Sequence, residues 1–395
     1  MWVFELNNLV LNVRKVKLVI CTTVPETILY ILKGQPKYLN QYFEVIVITS
    51  KSDKNKFISE NEGVKVYEVY LKRNINLIFD IIVLIQMFFL LVKIKPTIIH
   101  SYTPKAGLIS MLSSWLIMVP VRIHTFTGLI FPTQKGIKKS ILILMDRLIC
   151  YCSTKIIPEG LGVKNDLISY GISKRNLNII GNGNISGVDT SFFTDKEIKF
   201  EYAINYLNID NEFLKNKFVF SFIGRLNVDK GLNELFEAFI TLPQNTCLLI
   251  AGELDKEGNT ISPELYRKLK NNKRIICLGF VEDIRLVLKL TNVLVLPSYR
   301  EGFPNVLLQS LSMSVPAIAT NINGCNEIII DNHNGWLVDP KNFSELSKKM
   351  IFTESINKEY FEKIKLNARE SIIQRFEQSK YRELLLKEYL NLSKN

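Results

Sequence analysis

Histidine is scarce in this chain: three residues among 395, at positions 100, 124 and 333. No His pair accompanies Cys150-Tyr-Cys152, which lacks zinc-site spacing, so a metal centre is not expected. The six cysteines (21, 150, 152, 247, 277 and 325) mostly sit in or beside apolar strand or helix patterns. There a free thiol behaves as a small hydrophobe, and a reducing cytoplasm fits. No GxGxxG turn follows the first strand, which argues against a dinucleotide-binding dehydrogenase, and no Walker loop occurs. No Ser-His-Asp or Cys-His pairing offers a strong nucleophile. Basic residues interleaved with aromatics never become dense enough for a nucleic-acid groove. Residues 1–20 lack a basic start and a small-residue cleavage site, so they do not read as a signal peptide.

What is present is an apolar, basic, globular composition. Hydrophobic residues make up 47% and charged ones 22%, and the length exceeds one ordinary core, so two domains are expected. The net charge of +12 suits phosphate-bearing partners, or simply reflects a composition rich in Lys, Asn and Ile. Strands are predicted at 16–22, 44–49, 64–70, 97–101, 121–126 and 155–157, with helices at 74–94, 104–117, 137–150 and 160–170 between them. A second series of strands is predicted at 218–223, 246–251, 274–278, 292–296, 315–320 and 335–338. Such alternation predicts two doubly wound parallel sheets. Residues 192–214, where no strand pattern appears and charge rises, are the best linker. Segment 75–94 is long enough for a bilayer but contains Asp80 and Gln86. A helix buried in a large domain is expected there, with a membrane-dipping helix as the alternative.

Open α/β sheets bind ligands beyond the carboxyl ends of their strands. After 218–223 comes GRLNVDKGLNELFEAF. Gly224 permits a close turn, and Arg225 and Lys230 place two cations beside a helix N-terminus, which already favours anions. This predicts a phosphate or diphosphate site. After 292–296 comes PSYREGFPNVLLQS, with Glu301 in the loop and Pro304 opening a helix. The backbone N–H groups of Phe303 and Asn305 can meet an anion or a sugar oxygen. Glu301 would repel phosphates, so neutral sugar hydroxyls suit it better, and Gln309 lies inside the helix within range of a second set.

Residues 218–339 resemble the donor-binding domain of glycosyltransferase family 4, retaining enzymes of GT-B fold with an E-x7-E signature in this loop and helix. The resemblance extends to HSYTPKAGLISMLSSWLIMVPVRIHTFTGL (100–129) and GNGNISGVDTSFF (181–193). These stretches look like bacterial members that build capsule, O-antigen or other lipid-linked glycans. The resemblance implies an α/β chain with two Rossmann-like domains facing across a cleft. They would be an acceptor-binding domain at 1–195 and a nucleotide-sugar donor domain at 196–375, with a terminal helix at 376–395.

By the same resemblance Arg225 and Lys230 would hold the donor diphosphate, and Glu301 the donor sugar. Gly224, Phe303, Asn305 and Val306 would complete the donor site, and Val281 would read the base through its backbone. The second signature Glu, which takes the ribose, is Gln309 here; an amide can bond both ribose hydroxyls without a carboxylate's charge. His124 stands at a strand's end, either as a catalytic group at the reacting sugar or as a satisfied structural histidine. His100 has the same two readings, and Asn182, Asn184 and Asp189 serve either hinge or contact. No D-x-D motif occurs, so the resemblance implies no metal and no cofactor. The implied partners are a nucleotide sugar, UDP by family default, and a glycan or polyprenyl-diphosphate-linked acceptor. The implied location is cytoplasmic, peripheral on an anionic inner membrane face, through Lys93, Lys95, Lys105, Lys135, Lys138 and Lys139. Alternatives are a nucleotide-sugar epimerase of the same architecture or a non-catalytic sugar-nucleotide-binding subunit, which Gln309 permits.

Overall fold

The computed structural model describes residues 16–72, 77–255 and 259–394. Most of the stretch read for a signal peptide, and the start of the 74–94 helix, lie outside the described residues. The chain divides into two compact units, residues 1–186 with 379–395, and residues 187–378. A strand forms within two residues of each predicted position in both series.

Unit 1 holds strands β1 (Lys17–Cys21), β2 (Glu44–Ser50), β3 (Lys65–Val69), β4 (Ile98–Ser101), β5 (Val121–Phe126) and β6 (Lys155–Pro158). They form one parallel sheet in the order β3-β2-β1-β4-β5-β6. Along β1, Val19 and Cys21 enter one core cluster while Leu18 and Ile20 enter another. Both faces of the sheet are therefore covered, which is why its strands read as unbroken apolar runs. Helices α1 (Leu77–Ile94), α2 (Pro104–Leu116) and α3 (Gly136–Cys152) pack side by side in the first of these clusters.

Helix α1 is the apolar 75–94 segment, and the expectation of a buried helix holds for only half of its circumference. Val83, Met87, Leu91 and Ile94 are buried. Ile78, Ile81, Ile82, Ile85, Phe89 and Val92 form an exposed stripe on the other side. Asp80 is tolerated because Lys105 of α2 closes on it at 2.6 Å, both side chains being largely buried. Lys105 is thus withdrawn from the surface lysines. Among the described residues no helix is long and apolar enough to cross a membrane.

Unit 2 repeats the plan with β7 (Phe218–Ile223), β8 (Thr246–Ala251), β9 (Ile275–Gly279), β10 (Val293–Leu296), β11 (Ala317–Thr320) and β12 (Gly335–Val338). The sheet is again parallel, in the order β12-β11-β10-β7-β8-β9. Helix α4 (Leu232–Ile240) follows β7, and helix α5 (Asn305–Ser312) follows β10. The strandless stretch expected as a linker instead forms two short helices, Phe200–Tyr206 and Asn211–Leu214, whose Ala203, Ile204 and Leu214 join this core.

The last helix, α6 (Gln378–Ser393), belongs to unit 1 from Ser379 onward. Its Tyr381, Leu385 and Tyr389 pack in the cluster of Leu18 and Ile20, and the Tyr389 hydroxyl lies 2.6 Å from Nδ1 of His100.

Candidate functional site

In both sheets the strand order reverses beside the first strand: between β1 and β4 in unit 1, and between β7 and β10 in unit 2. Loops diverge there and leave a crevice at the strands' carboxyl ends. In unit 2 this crevice is built from the loops 224–231 and 297–304. Gly231 takes φ +67° at the start of α4, and a Cβ there would lie 2.0 Å from the Pro297 carbonyl oxygen. Only glycine lets the two loops approach so closely. Tyr299 N donates to the Asp229 carbonyl at 2.7 Å, and Arg300 Nη2 reaches Asp229 Oδ2 at 3.0 Å, so the loops are tied as well as close. Gly324, at φ +78°, brings the loop after β11 against the Gly302 carbonyl in the same way.

Within this frame Lys230 Nζ and Glu301 Oε1 are 2.5 Å apart, with 19% and 11% of their side chains exposed. Ser298, wholly buried, donates its hydroxyl to the same Glu301 oxygen at 2.6 Å. Thr320 Oγ1 in turn donates to the Ser298 carbonyl. A buried pair of this kind has lost much of its hydration, and removing either partner strands a charge. Cys325 lies close by, but burial first and the Glu301 carboxylate second push its thiol well above the ordinary range. It is therefore a neutral wall, not a nucleophile.

The predicted donor-site residues are only partly gathered by the fold. Lys230 and Glu301 meet directly. Arg225, 59% exposed, turns to Asp255 at 2.9 Å, and Asn227 supports that carboxylate at 3.2 Å. Phe303 buries its ring against Phe376, and its N–H and that of Val306 have no acceptor among the described residues. Both point to a helix N-terminus that retains unfilled donors. Asn305 opens α5, and Gln309, one turn further, is half-buried with no partner for its amide among the described residues. Val281 is half-buried just beyond β9, two strands from β7, and Gly224 directly follows β7.

His124 does not join any crevice. It is 1% exposed in β5, with Ser101 Oγ 2.8 Å from its Nδ1 and Phe126 edge-on at 4.5 Å. It fills the space left by Gly107 of α2, where a Cβ would lie 2.4 Å from the ring. Burial pushes its pKa down to about 3, so it is neutral. The satisfied structural reading fits, and contact with a reacting sugar does not. His100 is likewise buried, between Tyr389 and Thr125 Oγ1 and stacked on Tyr102. Asn184 is buried, its Oδ1 accepting from Ser186 N, and Asp189 Oδ1 accepts from Ser191 and Phe192 N–H groups, which is loop support. Sequence reasoning missed Ser298, Asp255 and the Asp229–Arg300 pair. Ser298 alone left a local signal, a hydroxyl three residues before the carboxylate.

A family profile described as Glycosyl transferases group 1 matches residues 207–371, and one described as Glycosyltransferase Family 4 matches residues 28–190. The capsular polysaccharide biosynthesis glycosyltransferase CapM of Staphylococcus aureus is 32% identical over 324 residues, 81% of this chain and 83% of that one. The chain belongs to the family 4 glycosyltransferases. This glycosyltransferase is also 28% identical, over 76% of its length and 77% of the other's, to an Escherichia coli enzyme. That enzyme is named UDP-Gal:alpha-D-GlcNAc-diphosphoundecaprenol alpha-1,3-galactosyltransferase. In fold it is similar to Anabaena Alr3699/HepE, solved in complex with UDP-glucose, with a TM-score of 0.77 at 17% identity, covering 95% of this chain and 99% of that one. The GT-B expectation of two parallel-sheet α/β units thus holds, and the chain is a sugar-transferring enzyme.

Proposed function

We propose that the glycosyltransferase moves a sugar, with retention, from a UDP-sugar to a lipid-diphosphate-linked glycan used for a bacterial surface polysaccharide. The observation that carries the donor half is the Lys230–Glu301 pair in the unit 2 crevice, beside the open N-terminus of α5. A bound donor exchanges these partners. Its diphosphate takes Lys230, its sugar hydroxyls take Glu301, and the N–H groups of Phe303, just before α5, and Val306, in its first turn, donate to an oxygen of the donor. Arg225 adds a second cation once it swings from Asp255. Asn305 and Gly224 line the phosphates, Gln309 takes the ribose and Val281 the base.

The acceptor hydroxyl then attacks the anomeric carbon on the face that the diphosphate leaves. The C–O bond to phosphate breaks as the new glycosidic bond forms, and a phosphate oxygen takes the hydroxyl proton. The protein positions the reactants and neutralises the leaving charge, a task for fixed cations and helix N–H groups that calls for no metal or cofactor. The relatives' names support the acceptor half.

Unit 1 supplies a surface for such an acceptor. Helix α3 also exposes Ile137, Ile141, Leu144 and Tyr151, and Trp115 of α2 lies 6.0 Å from Tyr151. Exposed Lys93, Lys95, Lys135 and Lys138 flank these residues. Apolar stripes rimmed by lysine suit the boundary of an anionic bilayer, without a spanning segment. The test is to incubate the protein with a panel of nucleotide sugars and a short-chain lipid-diphosphate sugar, and to follow nucleoside diphosphate release and product mass. Transfer from a UDP-sugar supports the reading. Release at equal rates with and without acceptor, or none with any donor, contradicts it.

A further inference from the structure

Beneath the loop that follows β5 lies a small cavity of about 20 Å³, room for roughly one methyl- or water-sized group. Its walls include Pro104 at the start of α2, Phe126 at the end of β5, Leu129 in the loop, and Leu142 and Met145 on α3. One polar side chain lines it, Asp146 of α3. Asp146 is 9% exposed, and its carboxyl has no hydrogen-bond or ion-pair partner among the described residues. Such a group is costly to bury, and proteins normally satisfy it. The cavity also sits at the carboxyl-end side of β4 and β5, where open α/β sheets receive ligands. No part of the donor chemistry described above uses it.

Different ligand groups would use these features unequally. A hydroxyl would satisfy the carboxyl but gain nothing from the apolar walls. A phosphate would be repelled. A free ammonium would pair with the carboxylate while losing its hydration to hydrocarbon. An acylamino group supplies both needs at once, an N–H donor for the carboxyl and a methyl for the apolar walls. We infer that this cavity is a subsite for the acetamido group of the acceptor's sugar, with Asp146 accepting its N–H. The inference rests on the acceptor reading above. Lys135 and Lys138, exposed near the uncapped start of the same helix, are available to the diphosphate of the same molecule.

The test uses the full chain and two synthetic probes that differ at one position, decyl-diphosphate esters of N-acetylglucosamine and of glucose. Calorimetric titration is expected to show the acetamido compound binding at least tenfold more tightly. In Asp146→Leu the two affinities should converge to within twofold, with thermal unfolding confirming the fold. Asp146→Asn, whose amide oxygen still accepts, should keep part of the preference. Equal affinity of the native protein for both probes, or a preference that survives Asp146→Leu, would overturn the subsite and leave the acceptor reading standing. Binding of neither probe would remove both.

Discussion

The two units share one strand order and differ in what they place at its reversal. In unit 2 the loops after β7 and β10 carry ions: Lys230 on Glu301, Arg300 on Asp229, and Arg225 on Asp255. In unit 1 the corresponding crevice is neutral. Thr23 and Thr103 share a hydroxyl contact at 2.6 Å, and Thr23 N donates to the Thr103 hydroxyl at 2.9 Å. Unit 1 also buries His100, His124 and Asp146, each without an ion-pair partner, beside the buried Lys105–Asp80 pair. The same scaffold therefore carries paired charges at the reversal in one half and hydroxyls there in the other. The topology sets where a ligand is met, and the loop residues set which chemistry meets it.

The largest effect that sharpens this contrast is in the charged crevice. Lys230→Ala should lower transfer about 10²–10³-fold while the protein remains folded, with a smaller loss of donor affinity. Thr103→Val, at the equivalent reversal in unit 1, should leave nucleotide affinity unchanged. Steady-state kinetics with nucleotide titration would read both, and near-native transfer by Lys230→Ala would break the comparison.

Next in size is Asp146. Burial pushes its carboxyl from 3.8 up to about 7, so the folded protein holds this proton more tightly than the unfolded chain. Its stabilising protonated state is complete below about pH 4 and lost as pH rises through about 7. Asp146→Asn should match the native protein at pH 4 and exceed it by up to about 4 kcal/mol at pH 8, measured by denaturant unfolding.

The histidines give a smaller effect of opposite sign. His124 is held neutral down to about 3 against an ordinary 6.5, and burial shifts His100 the same way. Stability from each is intact above pH 6.5 and falls as pH drops toward the folded value. At pH 5 the loss from His124 is about 2 kcal/mol, and His100 adds to it in the same direction. In Asp146→Asn, which removes the opposing carboxyl, scanning calorimetry should show unit 1 melting earlier as the pH is lowered from 7 to 5. The smallest change is Gln309→Glu, which should keep donor affinity or raise it a few-fold. Loss of activity in that folded variant would mean the amide itself is required.

Much of this division was legible in the sequence. Strands covered on both faces read as short continuous apolar runs, so all of them stood out. The Gly-Arg and Lys-Gly pairs after β7, and Glu301 after β10, marked the charged crevice because ions rarely follow buried strands without a purpose. What stayed hidden depends on partners far along the chain. With both faces of a strand buried, alternation no longer tells whether His124 points toward solvent or into Gly107 of α2. The apolar run 77–94 could not reveal that Lys105 neutralises Asp80, nor that only one side of that helix meets the core. Asp255 and the return of α6 to unit 1 are likewise contacts made across long stretches of sequence.

The central claim is that Lys230 holds the donor's diphosphate while Glu301 holds its sugar, and UDP separates the two roles because it carries one and lacks the other. Calorimetric titration of UDP into the native protein, Lys230→Ala and Glu301→Gln tests it directly. The account predicts at least a tenfold loss of UDP affinity in Lys230→Ala and unchanged or tighter binding in Glu301→Gln, whose amide no longer competes for Lys230. Native UDP affinity in Lys230→Ala, or an equal loss in both variants, would contradict it.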